Sequence, residues 1–231
     1  MKKRIVLVFG CLFLINSITH AQRIGKLEYL PTFDKHRLHW GFYLGFNKKS
    51  FKIDYKLPNT FVDIKDDMGF NVGLIGDFRL FDNLNLRLEP GISHNVKTLN
   101  FTNIPTARDS VREVSSTYLH VPLLLKFSAN RVNNIRPYLL AGVSYDFNFS
   151  SNQDSSEDNS ERVFRMKKNN LMYEVGFGID IYFFYFKFSP SIRGIFAMNN
   201  ELMRDVNPDS QWTAPIDYLG TRGVFLNFSF E

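Results

Sequence analysis

Residues 70–98 read FNVGLIGDFRLFDNLNLRLEPGISHNVKT, and their period decides the fold. Even positions carry Phe70, Val72, Leu74, Gly76, Phe78 and Leu80, then Leu84, Leu86, Leu88, Pro90, Ile92, His94, Val96 and Thr98. Odd positions carry Asn71, Asp77, Arg79, Asn85, Arg87, Glu89, Ser93, Asn95 and Lys97, with Ile75 the clear exception. Alternation with period two is the strand signature. Each run is about ten residues or longer, the span of a tilted transmembrane strand. The even face then meets lipid and the charged face turns inward. The opposite orientation would set Asp77, Arg79, Arg87 and Glu89 in hydrocarbon, where one Arg or Lys near the midplane already costs about 2 to 4 kcal/mol.

The same alternation recurs along the chain. Trp40 to Phe46 forms a first strand whose apolar set then changes parity to Phe51, Ile53 and Tyr55, which predicts a turn or bulge near Asn47 to Ser50. Further strands read as Leu119–Phe127, Leu139–Phe149, Leu171–Ile181, Phe186–Phe196 and Val224–Phe230. That makes eight. Leu80 and Leu84 share a face, so a three-residue turn, Phe81 to Asn83, with Asn83 left-handed, is expected between them. Residues 56–68, 99–116, 150–169 and 197–220 read as loops. Short turns alternate with long polar connections, the pattern of outer-membrane barrels with periplasmic turns and extracellular loops. The expected fold is all-β: an eight-stranded antiparallel transmembrane β-barrel, closed so that no strand edge is free. Pro90, Pro122 and Pro190 fall inside strands, so each predicts a bulge or a missing ladder bond.

Residues 1–21 have the layout of a secretory signal: Lys2, Lys3 and Arg4, an apolar run from Ile5 to Ile18, then Thr19, His20 and Ala21. The only cysteine, Cys11, lies inside that run, so the mature chain would hold no disulfide. Cleavage after Ala21 would lower the formal net charge from +5 to +2, and the basic balance says little about nucleic acid. Residues 22–37, broken by Pro31, read as an extended periplasmic arm, and residues 38–231 as the barrel in the outer membrane.

Eight-stranded barrels have interiors just wide enough for side chains to fill. The inward residues Asp77, Arg79, Arg87, Glu89, Glu174, Asp180, Lys187 and Arg193, together with Lys97, are therefore expected to pair into a structural charge plug; a narrow ion path is the alternative. Phe81, Phe127 and Tyr182 to Tyr185 suit an interfacial aromatic girdle. No spacing of His, Asp or Glu suits a metal, the acidic stretch Asp154 to Glu161 lacks the order of a calcium loop, and no cofactor is expected. His94 falls on the lipid side, but Ser93 points the other way, so a lipid-modifying serine and histidine pair is not expected to form.

The run Leu30, Pro31, Asp34, Lys35, then His39, Trp40, Gly41, Phe42, Leu44 and Gly45, resembles the start of the PorT type of barrel proteins, also called SprT. Leu119 to Phe127, Arg136 to Gly142 and Phe186 to Arg193 are similar to later strands of that family. The resemblance spans almost all of the mature chain. It implies a non-enzymatic outer-membrane component of the type IX secretion and gliding machinery of Bacteroidetes, with membrane lipid and other secretion proteins as partners. Leu30, Pro31, Asp34 and Lys35 are the expected partner-binding part of the arm. Adhesion or envelope stability through the outer loops is the second reading, and a lipid-modifying enzyme the third.

Overall fold

The computed structural model describes residues 27–56, 62–102, 104, 106–155, 157, 159–161 and 163–231, with only the backbone described at 107 and 108. The signal stretch 1–21 and arm residues 22–26 lie outside the described residues. Among the described residues ten strands follow in order: β1 Leu38–Tyr55, β2 Val62–Asp66, β3 Gly69–Phe81, β4 Leu84–Leu88, β5 Gly91–Phe101, β6 Val111–Ser128, β7 Ile135–Asn148, β8 Asn169–Tyr182, β9 Lys187–Ala197 and β10 Ile216–Phe230. All pairings are antiparallel, and β1 pairs with both β10 and β3, which closes the sheet. β4 and β5 are two halves of one staved position, so the ring has eight. β2, on sequence expected to be loop, is an extra strand on the outer end of β5, with Val62 opposite Phe101.

The alternation of β3 holds along the whole wall. Trp40, Phe42, Leu44 and Phe46 of β1, Leu123 and Leu125 of β6, and Val175 and Phe177 of β8 all point outward and are exposed. They form the band that meets hydrocarbon. The inward face is buried.

No bulge interrupts β1 at Asn47 to Ser50. Its ladder to β10 runs unbroken from Phe42 to Asp54, and the one irregularity falls at Asp54/Tyr55. Odd residues face inward throughout; what changes is the solvent outside. Below Asn47 the outer face meets lipid and the inner face is polar. Above it the outer face carries Lys48, Lys52 and Asp54, and the inner face carries Phe51, Ile53 and Tyr55. The upper barrel is built like a soluble one. Phe51, Leu99, Phe101, Phe164, Leu202 and Leu219 belong to its apolar core. Phe164 and Leu202 come from stretches that sequence reads as polar loop, so those connections fold back over the barrel as a cap.

The short turns hold two, six and four residues between β3 and β4, β6 and β7, and β8 and β9. The first departs from expectation. Arg79 pairs with Asn85 but Phe81 with Leu84, so Leu80 is the extra residue of a bulge and only Asp82 and Asn83 form the turn. Asn83 is not left-handed; Asn133, in the next short turn, is, at φ 56°. The bulge solves the parity problem that a three-residue turn would have solved.

The prolines have a simple hydrogen-bond account. The registers Leu88↔Leu123 and Gly91↔His120 place Glu89 opposite Pro122. Glu89 N–H donates to Pro122 O at 3.2 Å, but Pro122 has no N–H to return. The Glu89 carbonyl accepts instead from the Tyr43 hydroxyl at 3.3 Å. Pro90 sits at the same level and separates β4 from β5, while its carbonyl still accepts from Leu74 N–H at 2.9 Å. Pro190 interrupts the β8–β9 ladder between Ser191 and Phe188. Tyr43 reaches Glu89 because Gly73 and Gly91 leave it room: a Cβ on either would lie 2.6 or 2.2 Å from the tyrosine.

Phe51→Ala should cost about 3 to 5 kcal/mol of cap stability, as for a buried Phe truncation. Protease added to intact cells should then cut residues 150–169 or 197–220 faster. The unboiled barrel should keep its compact electrophoretic mobility.

Candidate functional site

The lumen is filled in three layers. At the periplasmic mouth, residues 27–37 do not extend away as sequence suggests. They turn across the opening through a 3-10 turn at Phe33–Lys35. Asp34 holds them there: its carboxylate accepts from the Tyr182 hydroxyl at 2.6 Å and faces Arg136 at 3.3 Å and Arg131 at 3.7 Å. Arg79 donates to the Asp34 carbonyl at 2.5 Å, Arg131 to that of Leu30 at 3.2 Å, and Tyr29 N–H to Asn134 at 2.9 Å. The Phe33 ring stacks on His39, with Lys187 Nζ 4.7 Å from its centroid. Leu30 takes a left-handed φ of 49°, the bend that brings Asp34 under the ring. Pro31 and Lys35 stay exposed.

Above the mouth lies a continuous charge network. Lys187 pairs with Glu231 at 3.0 Å, and Glu231 with Arg87 at 2.5 Å. Arg87 Nε lies 3.0 Å from Glu89 and 3.7 Å from Asp77. Arg193 bridges Glu89 at 2.8 Å and Glu174 at 3.4 Å. Glu174 faces His120 Nε2 at 3.1 Å, His120 Nδ1 bonds Asp146, and Asp146 meets Lys49 at 3.3 Å. Lys126 pairs separately with Asp180 at 2.8 Å, and Asp180 also accepts from Ser189 at 2.6 Å. These groups are all nearly or fully inaccessible to solvent.

The charges close. Asp77, Glu89, Asp146, Glu174, Asp180 and Glu231 are six carboxylates; Lys49, Arg87, Lys126, Lys187 and Arg193 are five cations. His120 presents both ring nitrogens to carboxylates, which only accept, and imidazole has two N–H groups only as imidazolium. Its positive charge makes the layer neutral. The Lys49 ammonium lies 4.1 Å from the Tyr118 ring centroid, and Lys97 lies 3.8 Å from that of Phe51, where the charged layer gives way to the apolar cap. In the cap Glu201 accepts from Thr221 N–H at 2.9 Å and its hydroxyl at 2.8 Å. Burial pushes the Glu201 carboxyl above its ordinary range, against the pull of nearby Lys97.

Of the residues predicted from sequence, Asp77, Arg87, Glu89, Glu174, Asp180, Lys187 and Arg193 lie together inside the ring. Arg79 does not join them: its guanidinium, near the bulge, serves the mouth, bonding the arm and lying 3.5 Å from Asp82. Sequence reasoning missed Lys49, His120, Lys126, Asp146 and Glu231 as members. Strict parity would have found the middle three, Lys49 was hidden by the expected bulge, and Glu231 by its terminal position. Tyr182 is not part of the girdle; it is buried and turned to Asp34, whereas Phe184 and Tyr185 are exposed at the turn. His94 lies on the outer wall with Nδ1 3.0 Å from Thr117 Oγ1, while Ser93 is inside against Lys49. Among the described residues no group of three or more His, Cys, Asp and Glu is placed to hold a metal.

A family model described as outer membrane protein beta-barrel domain matches residues 21–202. Among solved structures, the chain is similar to the outer membrane protein OprG of Pseudomonas aeruginosa, at 14% identity and a TM-score of 0.50, over 84% of this chain and 95% of that one. It is also similar to the outer membrane protein AlkL, at 15% identity and a TM-score of 0.46, over 88% and 95% of the two chains. Neisserial surface protein A aligns at 10% identity with a TM-score of 0.41, over 81% and 95%. The likeness to OprG concerns the fold alone. No curated protein matches the chain.

Arg193→Met removes one cation, leaving Glu89 to Arg87 and Glu174 to His120 with one negative charge uncompensated in the lumen, which should cost about 3 to 5 kcal/mol. Adding Glu174→Gln should return part of that loss. Urea unfolding of the protein in lipid vesicles measures both.

Proposed function

The chain belongs to the family of outer membrane protein beta-barrel domains, and from that premise we propose that it is a sealed, non-enzymatic accessory component of type IX secretion and gliding. The observation that carries this reading is the filled lumen: arm, neutral charge layer and apolar cap succeed one another along the axis. A barrel so filled works through its surfaces rather than as a conduit. The resemblance to PorT-type proteins supports the periplasmic surface, because Leu30, Pro31, Asp34 and Lys35 lie in the segment that Asp34 pins across the mouth. In this reading Asp34 sets the shape of the arm, and Pro31 and Lys35 meet another protein of the secretion machinery.

Adhesion or envelope stability is the second reading, favoured by the cap. Its apolar core makes the extracellular end a rigid platform rather than a set of loose loops. Trimming residues 150–169 or 197–220 would remove Phe164, Met166 or Leu202 from that core, so the two readings are better separated by surface substitutions.

Deletion should abolish export of type IX cargo to the medium, and the intact gene should restore it. Asp34→Ala combined with Lys35→Glu should fail to restore it despite normal outer-membrane levels, whereas substitutions on the cap exterior should succeed. Unchanged export in the deletion strain would sink the secretion reading; loss confined to cap variants would favour the second.

A further inference from the structure

The outer wall is uncharged over most of the level where hydrocarbon ends. Residues facing outward there include His94, Thr117, Tyr145, Phe149 and Leu171. The seam between β1 and β10 is different. Directly above the apolar residues Phe46 and Val224, its outward positions are Lys48, Ser50 and Lys52 on β1 and Arg222 on β10. The ladder sets Ser50 opposite Arg222, Lys48 opposite Val224 and Lys52 opposite Gly220, so the three cations occupy adjoining positions on one face.

This face is hollowed. A cleft of about 310 Å³ lies between Lys48, Ser50 and Arg222, floored by Gly194 and Val224. Gly194 leaves space in it over which the Phe196 ring lies. A second cleft of about 420 Å³, lined by Lys52, Tyr173, Phe196 and Tyr218, adjoins it across Arg222 and Phe196. Tyr173 and Phe196 stack with centroids 5.0 Å apart, an aromatic pair at the interface level. The floor of the lower cleft runs down into the lipid-facing band.

Two acids are near. Asp54 is engaged by Lys52 at 3.4 Å, and Asp66 stands at the edge of the lower cleft. Lys48 and Arg222 make no ion pair among the described residues. They are thus two cations with a serine hydroxyl between them, above an apolar floor, at the boundary of the outer leaflet. An arginine fork and an ammonium that line one cleft suit the oxygens of a phosphate, and the floor suits an acyl chain. Anionic groups at a bilayer surface attract such basic side chains. We propose that the β1–β10 seam binds a phosphate-bearing glycolipid of the outer leaflet, with Arg222, Lys48 and Ser50 on the phosphate and the acyl chain along Gly194 and Val224. Lys52, already paired, takes a lesser share.

The test uses the full-length protein in nanodiscs of neutral phosphatidylcholine doped with bisphosphorylated lipid A, with lipid retained through a detergent wash counted by native mass spectrometry. Wild type should retain lipid A and should retain the dephosphorylated lipid poorly. Lys48→Gln with Arg222→Gln should weaken retention about tenfold or more, the loss expected for charge-assisted contacts. Lys65→Gln, an exposed cation on β2 outside the clefts, should have no effect, and Lys48→Arg with Arg222→Lys should recover most of the binding. Compact migration before boiling verifies that each variant is folded. Equal retention by wild type and the double Gln variant would overturn the proposal. So would equal retention of dephosphorylated lipid, or displacement by inorganic phosphate at concentrations that match the lipid.

Discussion

A backbone amide in hydrocarbon has no water to bond, so every strand in the membrane must be paired on both sides. That single requirement closes β1 onto β10 and β3, and most of the molecule follows from it. Closure with eight strands leaves an interior just wide enough for side chains. Half of each strand must point into it, and because the other half is given to lipid, the polar half of the chain has nowhere else to go. The interior is then stable only if its charges cancel. His120, held between Asp146 and Glu174, supplies the last positive charge. The same rule governs the prolines, whose missing donors fall where a tyrosine hydroxyl or a break in the ladder absorbs them.

Much of this was legible in the sequence. Residues 70–98 define strand, facing and register because lipid and lumen demand opposite chemistry from neighbouring residues. What misled was the assumption that the outer solvent stays the same along a strand. Phe51, Ile53 and Tyr55 look like a parity slip only if the outside is lipid throughout; once β1 rises into water, the unchanged geometry calls for the opposite pattern. The same blindness hid β2 and the apolar contribution of Phe164 and Leu202, which answer to a core assembled from widely separated stretches. Local sequence carries no trace of that assembly.

The site was read in outline and missed in its connections. Parity shows that Glu89 and Arg193 face inward, but not that one guanidinium joins Glu89 to Glu174, since that depends on which strands meet across the lumen. Arg79 shows the limit from the other side. It keeps the inward parity of Asp77 and its register with Asn85, but two residues nearer the mouth its guanidinium meets the arm instead of the plug. The arm itself had no periodic signal; its place is fixed by contacts from distant strands, with one carboxylate at their centre.

That carboxylate also sets an order of events. Asp34 is bound by Tyr182, 148 residues further along the chain, and by Arg131 and Arg136 from the β6–β7 end of the barrel. None of these partners is in position until the ring is built through its sixth wall strand. An arm that precedes every wall strand in the chain therefore takes its seat only after most of them have paired, since contacts of such long sequence separation form late. A seated arm is a molecular certificate that the barrel above it has been built at least as far as β8.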